Sequence, residues 1–267
     1  FNCDLSEWDV SRVANMNYMF QGATSFKQKL CGDAWVRLTA SKMDMFFYGS
    51  SGSSVSPTTC STTSAAFFPR SKEDLKSAVD DCLELSPEGD CSNGPRGPIG
   101  KWGVSEIRDT SYIFSGADLF NGDISIWDVS RVRNMDHMFS FVDFFNSEIS
   151  KWDVSSVKSM YGMFLHASSF NADISKWDVS SVDQMREMFS WAASFNVDIS
   201  RWDVSSVTNM NDLFRDASSF NQQLCGTAWV HSMASKDGMF AGSLGSISLT
   251  MCMTTSAFSP RSTEELK

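Results

Sequence analysis

Trp102, Trp127, Trp152, Trp177 and Trp202 stand 25 residues apart, and the residues around them repeat in register. Four carry the tetrad Trp-Asp-Val-Ser, at Trp127–Ser130, Trp152–Ser155, Trp177–Ser180 and Trp202–Ser205; the first copy, Trp102-Gly103-Val104-Ser105, lacks the Asp. A Met-Phe pair follows at Met138-Phe139, Met163-Phe164 and Met188-Phe189, varied to Ile113-Phe114 and Leu213-Phe214 in the outer copies. Then comes Phe-Asn, at Phe120-Asn121, Phe145-Asn146, Phe170-Asn171, Phe195-Asn196 and Phe220-Asn221. A fixed period of this length constrains the fold before any other feature does. One unit is too short to bury its own apolar face, so neighbouring units must share a core.

The composition follows from the repeat. Of 21 Phe, 15 fall in the two repeated Phe columns, and eight of nine Trp lie in Trp-Asp-Val or Ala-Trp-Val positions or their degenerate copy. With 32 acidic against 22 basic side chains the chain is at −10, which argues against a binder of nucleic-acid phosphates. No apolar run approaches the ~20 residues of a membrane helix.

Within residues 145–169, Ile149–Val154 predicts a strand with Trp152 and Val154 on one face. Val157, Met160, Phe164 and Ala167 then match one face of a short helix, with Asp153 or Ser155 at its N-cap. The expected fold is an α/β solenoid, a right-handed coil of leucine-rich-repeat type. Each 25 residues would supply one parallel strand and one short helix. The buried columns of such a coil are Trp127, Trp152, Trp177 and Trp202 with Phe139, Phe164, Phe189 and Phe214.

A longer period overlays the first. Trp8-Asp9-Val10-Ser11 recurs from Trp202, 194 residues on, and Leu30–Val36 matches Leu224–Val230. This predicts residues 1–70 as the last coils and cap of one module and 71–100 as a capping helix and Gly/Pro loop. Residues 101–224 then form a five-coil array, and 225–267 a second cap with the start of another module. On this reading the sequence is about 1.4 modules of a longer tandem protein. Ser71-Lys72-Glu73-Asp74 and Ser262-Thr263-Glu264-Glu265 are capping-box patterns, the first opening a helix over about 72–84.

The motif Phe-Asn-x-Asp-Ile-Ser-x-Trp-Asp-Val-Ser-x-Val-x-x-Met-x-x-Met-Phe resembles the BspA-like leucine-rich repeats of bacterial surface lipoproteins, over about residues 1–30 and 100–245. The resemblance implies a secreted or cell-surface protein concerned with adhesion and binding, and it carries no shared catalytic residues. The Leu-Cys-Gly-x-Ala-Trp-Val cap and residues 47–100 depart from the pattern.

The cysteines sit at module edges. Cys31 and Cys60 have equivalents in Cys225 and Cys252, and Cys82 and Cys91 flank the loop. The pairs Cys31–Cys60, Cys225–Cys252 and Cys82–Cys91 are the expected disulfides, leaving Cys3 over, and they predict an oxidising compartment, extracellular or at the cell surface.

Stacked coils align equal positions into ladders. Asp128, Asp153, Asp178 and Asp203 form one, read as helix caps; Asp123, Glu148, Asp173 and Asp198 form another, with Lys151, Lys176 and Arg201 as ion-pair partners. Cation binding between acidic rungs, calcium above all, is the alternative; no other cofactor is indicated. Asn121, Asn146, Asn171, Asn196 and Asn221 are expected to point inward and satisfy backbone groups, while Ser125, Ser150, Ser175 and Ser200 face outward. His137, His166 and His231 occupy different columns, and no hydrolase triad or phosphate loop is present. The sequence therefore reads as a non-enzymatic tandem scaffold. It is either a building block assembled through other copies of itself or an adhesion ectodomain for a surface protein or glycan.

Overall fold

The computed structural model describes residues 5, 8, 10, 12–23, 67–92 and 94–248. The chain divides into two compact units, residues 1–67 with 91–98, and residues 68–90 with 99–267. The first cap (Trp35), Cys3, Cys31, Cys60 and Cys252, and the second capping box lie outside the described residues.

In the second unit, helix α1 spans Lys72–Leu85, as the capping box predicts. Ser71 is its N-cap, and the Ser71 hydroxyl accepts from the Asp74 N–H at 3.2 Å. Leu75, Ala78, Val79 and Cys82 form its buried face. The helix packs at the first repeat: the Lys72 ammonium reaches Asp109 at 3.3 Å and also bonds the Ser111 hydroxyl. The Glu88 carbonyl after the helix accepts from Asn121 N–H at 3.2 Å. A short 3-10 turn follows at Ile99–Lys101.

The repeats stack with a 25-residue offset. Single parallel bridges join Asp109 to Asn134, Asn134 to Ser159, Ser159 to Gln184, Gln184 to Asn209, and Asn209 to Ser235. The elements within each repeat differ from those expected. Among the described residues of the repeats there is neither a strand at the Trp-Asp-Val segment nor a helix after it. The segment expected to be helical is a chain of tight turns. Its N–H groups divide two ways. Those of Met135, His137, Phe139 and Phe141 donate to the carbonyls of Ser159, Tyr161, Met163 and Leu165 in the next repeat, at 2.7–2.9 Å. Those of Met138 and Ser140 close turns on Met135 and His137. A helix would use these donors internally and remove this segment's links to the next repeat.

Within the run of turns the ladder runs one way: N–H groups point to the following repeat and carbonyls to the preceding one, since Asn134, Asp136, Met138 and Ser140 accept from Thr110, Tyr112, Phe114 and Gly116. Just before it, the N–H groups of Arg133, Lys158, Asp183, Thr208 and Ser235 donate back to the preceding repeat. Keeping alternate groups on one side needs two left-handed residues per repeat. They are Tyr112 and Gly116, His137 and Phe141, Gly162 and His166, Glu187 and Trp191, Asp212 and Asp216, and Gly238 and Gly242, with φ between 53° and 77°. The first unit repeats the device at Tyr18 and Gly22, and buries Leu5, Val10, Met16 and Phe20.

Behind the ladder lies the core. Trp127, Trp152, Trp177 and Trp202 are 2–4 % exposed, and Phe139, Phe164, Phe189 and Phe214 are 0 %. The two Phe columns interlock: Phe164 stacks on Phe170 at 3.7 Å within its repeat and on Phe189 at 5.7 Å across to the next. Each Trp adds a polar stitch. The indole N–H groups of Trp127, Trp152, Trp177 and Trp202 donate to the carbonyls of Ile99, Ile124, Ile149 and Ile174, at 2.9–3.2 Å.

At the far end, strand β1 (Gln223–Leu224) pairs in parallel with β2 (Ser246–Ile247), and a short helix α2 spans Thr227–Val230.

Candidate functional site

The acidic ladders are turn devices. One carboxylate oxygen of Asp128, Asp153, Asp178 and Asp203 accepts from the backbone N–H of the Ser two residues on, at 3.0–3.1 Å. In the first three the Ser hydroxyl donates to the same oxygen at 2.6 Å. These are Asx turns. The sequence predicted a carboxylate meeting a nearby N–H but placed it on a helix that the repeat does not form. Asp123, Glu148, Asp173 and Asp198 do the same to Ser125, Ser150, Ser175 and Ser200 at 2.9–3.0 Å. Hydrogen bonds from these serines hold the carboxyls of Asp123, Asp128, Glu148, Asp173, Asp178 and Asp203 below the usual range, so they stay ionised at neutral pH.

Among the described residues Lys151, Lys176 and Arg201 make none of the direct ion pairs expected with the second ladder, although the Lys151 and Lys176 charges help to lower the Glu148 and Asp173 carboxyls. The turn serines already offset the like charges, and a surface pair adds little to that. For calcium, the structure offers each acid a serine partner. Among the described residues no group of three or more His, Cys, Asp or Glu is arranged to hold a metal.

The Asn column is a correction in direction. Asn121, Asn146, Asn171, Asn196 and Asn221 are exposed rather than inward. They still satisfy backbone: the side-chain oxygens of Asn121, Asn146, Asn171 and Asn196 accept from the N–H of the next Asn at 2.8–2.9 Å. The Ser column is partly buried, with Ser200 at 7 %, because each Ser closes its acid's turn rather than facing solvent.

The left-handed columns went unread in the sequence. Phe141, His166 and Trp191 stack along one of them, with centroids at 4.7 and 5.3 Å and ring planes within 13°. Trp191 is the ninth Trp, outside the repeated positions, and is 47 % exposed; Phe141 is 49 % exposed. In the other column Tyr112 stacks on His137 at 4.9 Å, and His137 meets Tyr161 edge-on at 4.5 Å. Burial lowers the His137 pKa, with the Asp136 and Glu187 charges opposing that shift.

An open cleft of about 1330 Å³ lies between the last repeat and α2. Arg201, Asp203, His231 and Met233 line it. His231 is tied through Nδ1 to the Thr227 carbonyl at 3.0 Å, and Asp203 to Ser205. At the module edges, Cys82, Cys91 and Cys225 are each disulfide-bonded.

The family model described as "Mycoplasma protein of unknown function, DUF285" matches residues 1–58, 89–179 and 149–247. The chain belongs to the DUF285 family. The second and third matched stretches of this DUF285 chain overlap, as a 25-residue period allows. No curated protein and no solved structure matches the chain. Among the described residues of this DUF285 protein, no helix is long and apolar enough to cross a membrane.

Proposed function

We propose that the chain is a non-enzymatic, extracellular tandem-repeat scaffold, a solenoid of the BspA-like leucine-rich-repeat kind whose modules join end to end into a surface or filamentous assembly. The observation that carries this reading is the one-way ladder and its two unlike ends. At the first repeat, α1 packs over the stack, and Ser111 and Ile113 are buried there. At the last described repeat the ladder reaches its final rung among the described residues. Met210, Asp212, Phe214 and Asp216 donate to the carbonyls of Ser235, Asp237, Met239 and Ala241. The corresponding next donors, the N–H groups of Lys236, Gly238, Phe240 and Gly242, have no acceptor among the described residues.

Phe240 extends the Phe column, at 5.6 Å from Phe214, but is only half-buried where the inner members are fully so. A rung whose donors have no acceptor among the described residues, beside a half-covered aromatic, favours addition of a further repeat or module. Oxidised Cys82, Cys91 and Cys225 fit an oxidising compartment.

Sedimentation velocity across a concentration series, with electron microscopy of the same samples, tests the reading. Oligomers that lengthen with concentration in one dimension, and shorten in Phe240→Glu, are expected. Monodisperse monomers at every concentration contradict it.

A further inference from the structure

The residue before each Phe-Asn pair is Ser169, Ser194 or Ser219 in three repeats, so the fold asks for nothing apolar there. In the first two repeats the same position holds Leu119 and Phe144, which are 51 % and 58 % exposed. The pair borders a cleft of about 520 Å³, with Glu88 and Asp123 on its walls and no Lys or Arg in its lining.

Two of the neighbouring acids have no cationic partner among the described residues: Glu88 and Asp118 take part in no ion pair. Asp123 uses one oxygen on the Ser125 N–H at 3.0 Å, and Asp143 uses one on the Ser168 hydroxyl at 2.9 Å. Ionised carboxylates only accept hydrogen bonds. The charged groups lining the cleft are all acidic, beside the one side-chain amide of Asn121. It suits a ligand with a cationic donor head and an apolar remainder. Lys and Arg have that form, an aliphatic stem with a cationic head. The stems fit against Leu119 and Phe144, a head over the Phe144 ring gains cation–π attraction, and carboxylate pairing gives charge-assisted bonds.

We propose that this cleft binds a basic amphipathic segment of a partner protein, with Lys or Arg heads on Glu88 and Asp123 and an apolar side chain between Leu119 and Phe144. The site goes beyond end-to-end assembly and does not depend on it, because it lies at the first two repeats, away from the last described rung.

Fluorescence anisotropy on the full chain tests it, with a labelled decapeptide of alternating Lys and Leu as probe and its Glu-Leu counterpart as control. The doubly substituted Leu119→Ser, Phe144→Ser carries the residue that other repeats already hold, so its thermal midpoint should match the parent. Its affinity for the Lys-Leu peptide should fall at least about tenfold. Glu88→Gln should weaken binding and flatten its salt dependence, while Asp178→Asn, three repeats along, should leave both unchanged. Three results overturn the proposal. One is equal peptide affinity in the double variant, which would mean general attraction to a chain at −10. The second is no binding by the parent chain. The third is capture of a neutral polysaccharide, dextran or laminarin, in place of the peptide.

Discussion

The indole N–H of Trp229 donates to the Ile199 carbonyl at 3.1 Å, thirty residues back, where Trp127, Trp152, Trp177 and Trp202 each donate to a carbonyl 28 residues back. The cap thus extends the Trp stitch although its Leu-Cys-Gly-x-Ala-Trp-Val sequence shares little else with the repeat. Trp229 is fully buried. Trp229→Phe keeps an aromatic ring and removes the indole donor, leaving the Ile199 carbonyl with the Trp202 N–H at 3.0 Å as its remaining partner. Urea unfolding should show a loss of about 1–2 kcal/mol, from one hydrogen bond and the volume of the lost pyrrole ring, while Trp191→Phe, on the exposed column, should stay within about 0.5 kcal/mol.

Gly162 and His137 make a second linked pair. Gly162 has φ +58°, and a Cβ there would lie 2.4 Å from His137 Cε1. Gly162→Ala should cost about 1–2 kcal/mol from backbone strain and more from the displaced ring. In a double-mutant cycle His137→Ala should recover the ring's share, giving a coupling of at least about 0.5 kcal/mol. Strictly additive losses would mean that the ring does not rest on Gly162.

The Asx turns predict an acid response. Hydrogen bonds from serine lower the Asp128, Asp178 and Asp203 carboxyls in the fold. A carboxyl with a lowered folded pKa contributes stability above its unfolded value of about 3.9. That contribution is lost as pH falls through the folded value. His137, lowered by burial, acts in the same direction in a separate window that opens as pH falls below about 6.5. Thermal midpoints should therefore fall in two stages on acidification, and His137→Gln should remove the upper one. Asp178→Asn, whose amide oxygen still accepts, should keep the turn; Asp178→Ala should lose about 1 kcal/mol at neutral pH.

Oxidation at the module edges is directly measurable. Alkylation without reductant followed by peptide mass spectrometry should leave Cys82, Cys91 and Cys225 unlabelled. Free thiols there would remove the support for an extracellular scaffold.

The 25-residue offset and the core columns were legible in the sequence because a shared core demands Trp, Met and Phe at fixed positions. Phe139, Phe164, Phe189 and Phe214 stack as their spacing implies. Helix α1 was legible from Ser71 and its apolar face. The elements inside the repeat were not. Val157, Met160, Phe164 and Ala167 are all buried, and their spacing fits a helix face; a run of turns that sends every second N–H to the next repeat buries them as well.

The left-handed positions were hidden for a related reason. Glycine would mark them, yet Tyr112, His137, Phe141, His166 and Trp191 hold several, kept there by the ladder and by ring stacking along the column. The cleft at Leu119 and Phe144 was legible only as a departure from Ser169, Ser194 and Ser219.

Residue-resolved amide exchange by NMR tests the one-way ladder and the proposed growth from its last described rung most directly. The N–H groups of Asp212, Phe214 and Asp216, bonded at 2.7–2.8 Å into the following repeat, should be strongly protected. Those of Gly238, Phe240 and Gly242, one rung on, should exchange at least about a hundredfold faster in the monomer, and should gain protection as the chain assembles. Equal protection of the two rungs in the dilute monomer would mean that the ladder is already closed, and would contradict growth from that end.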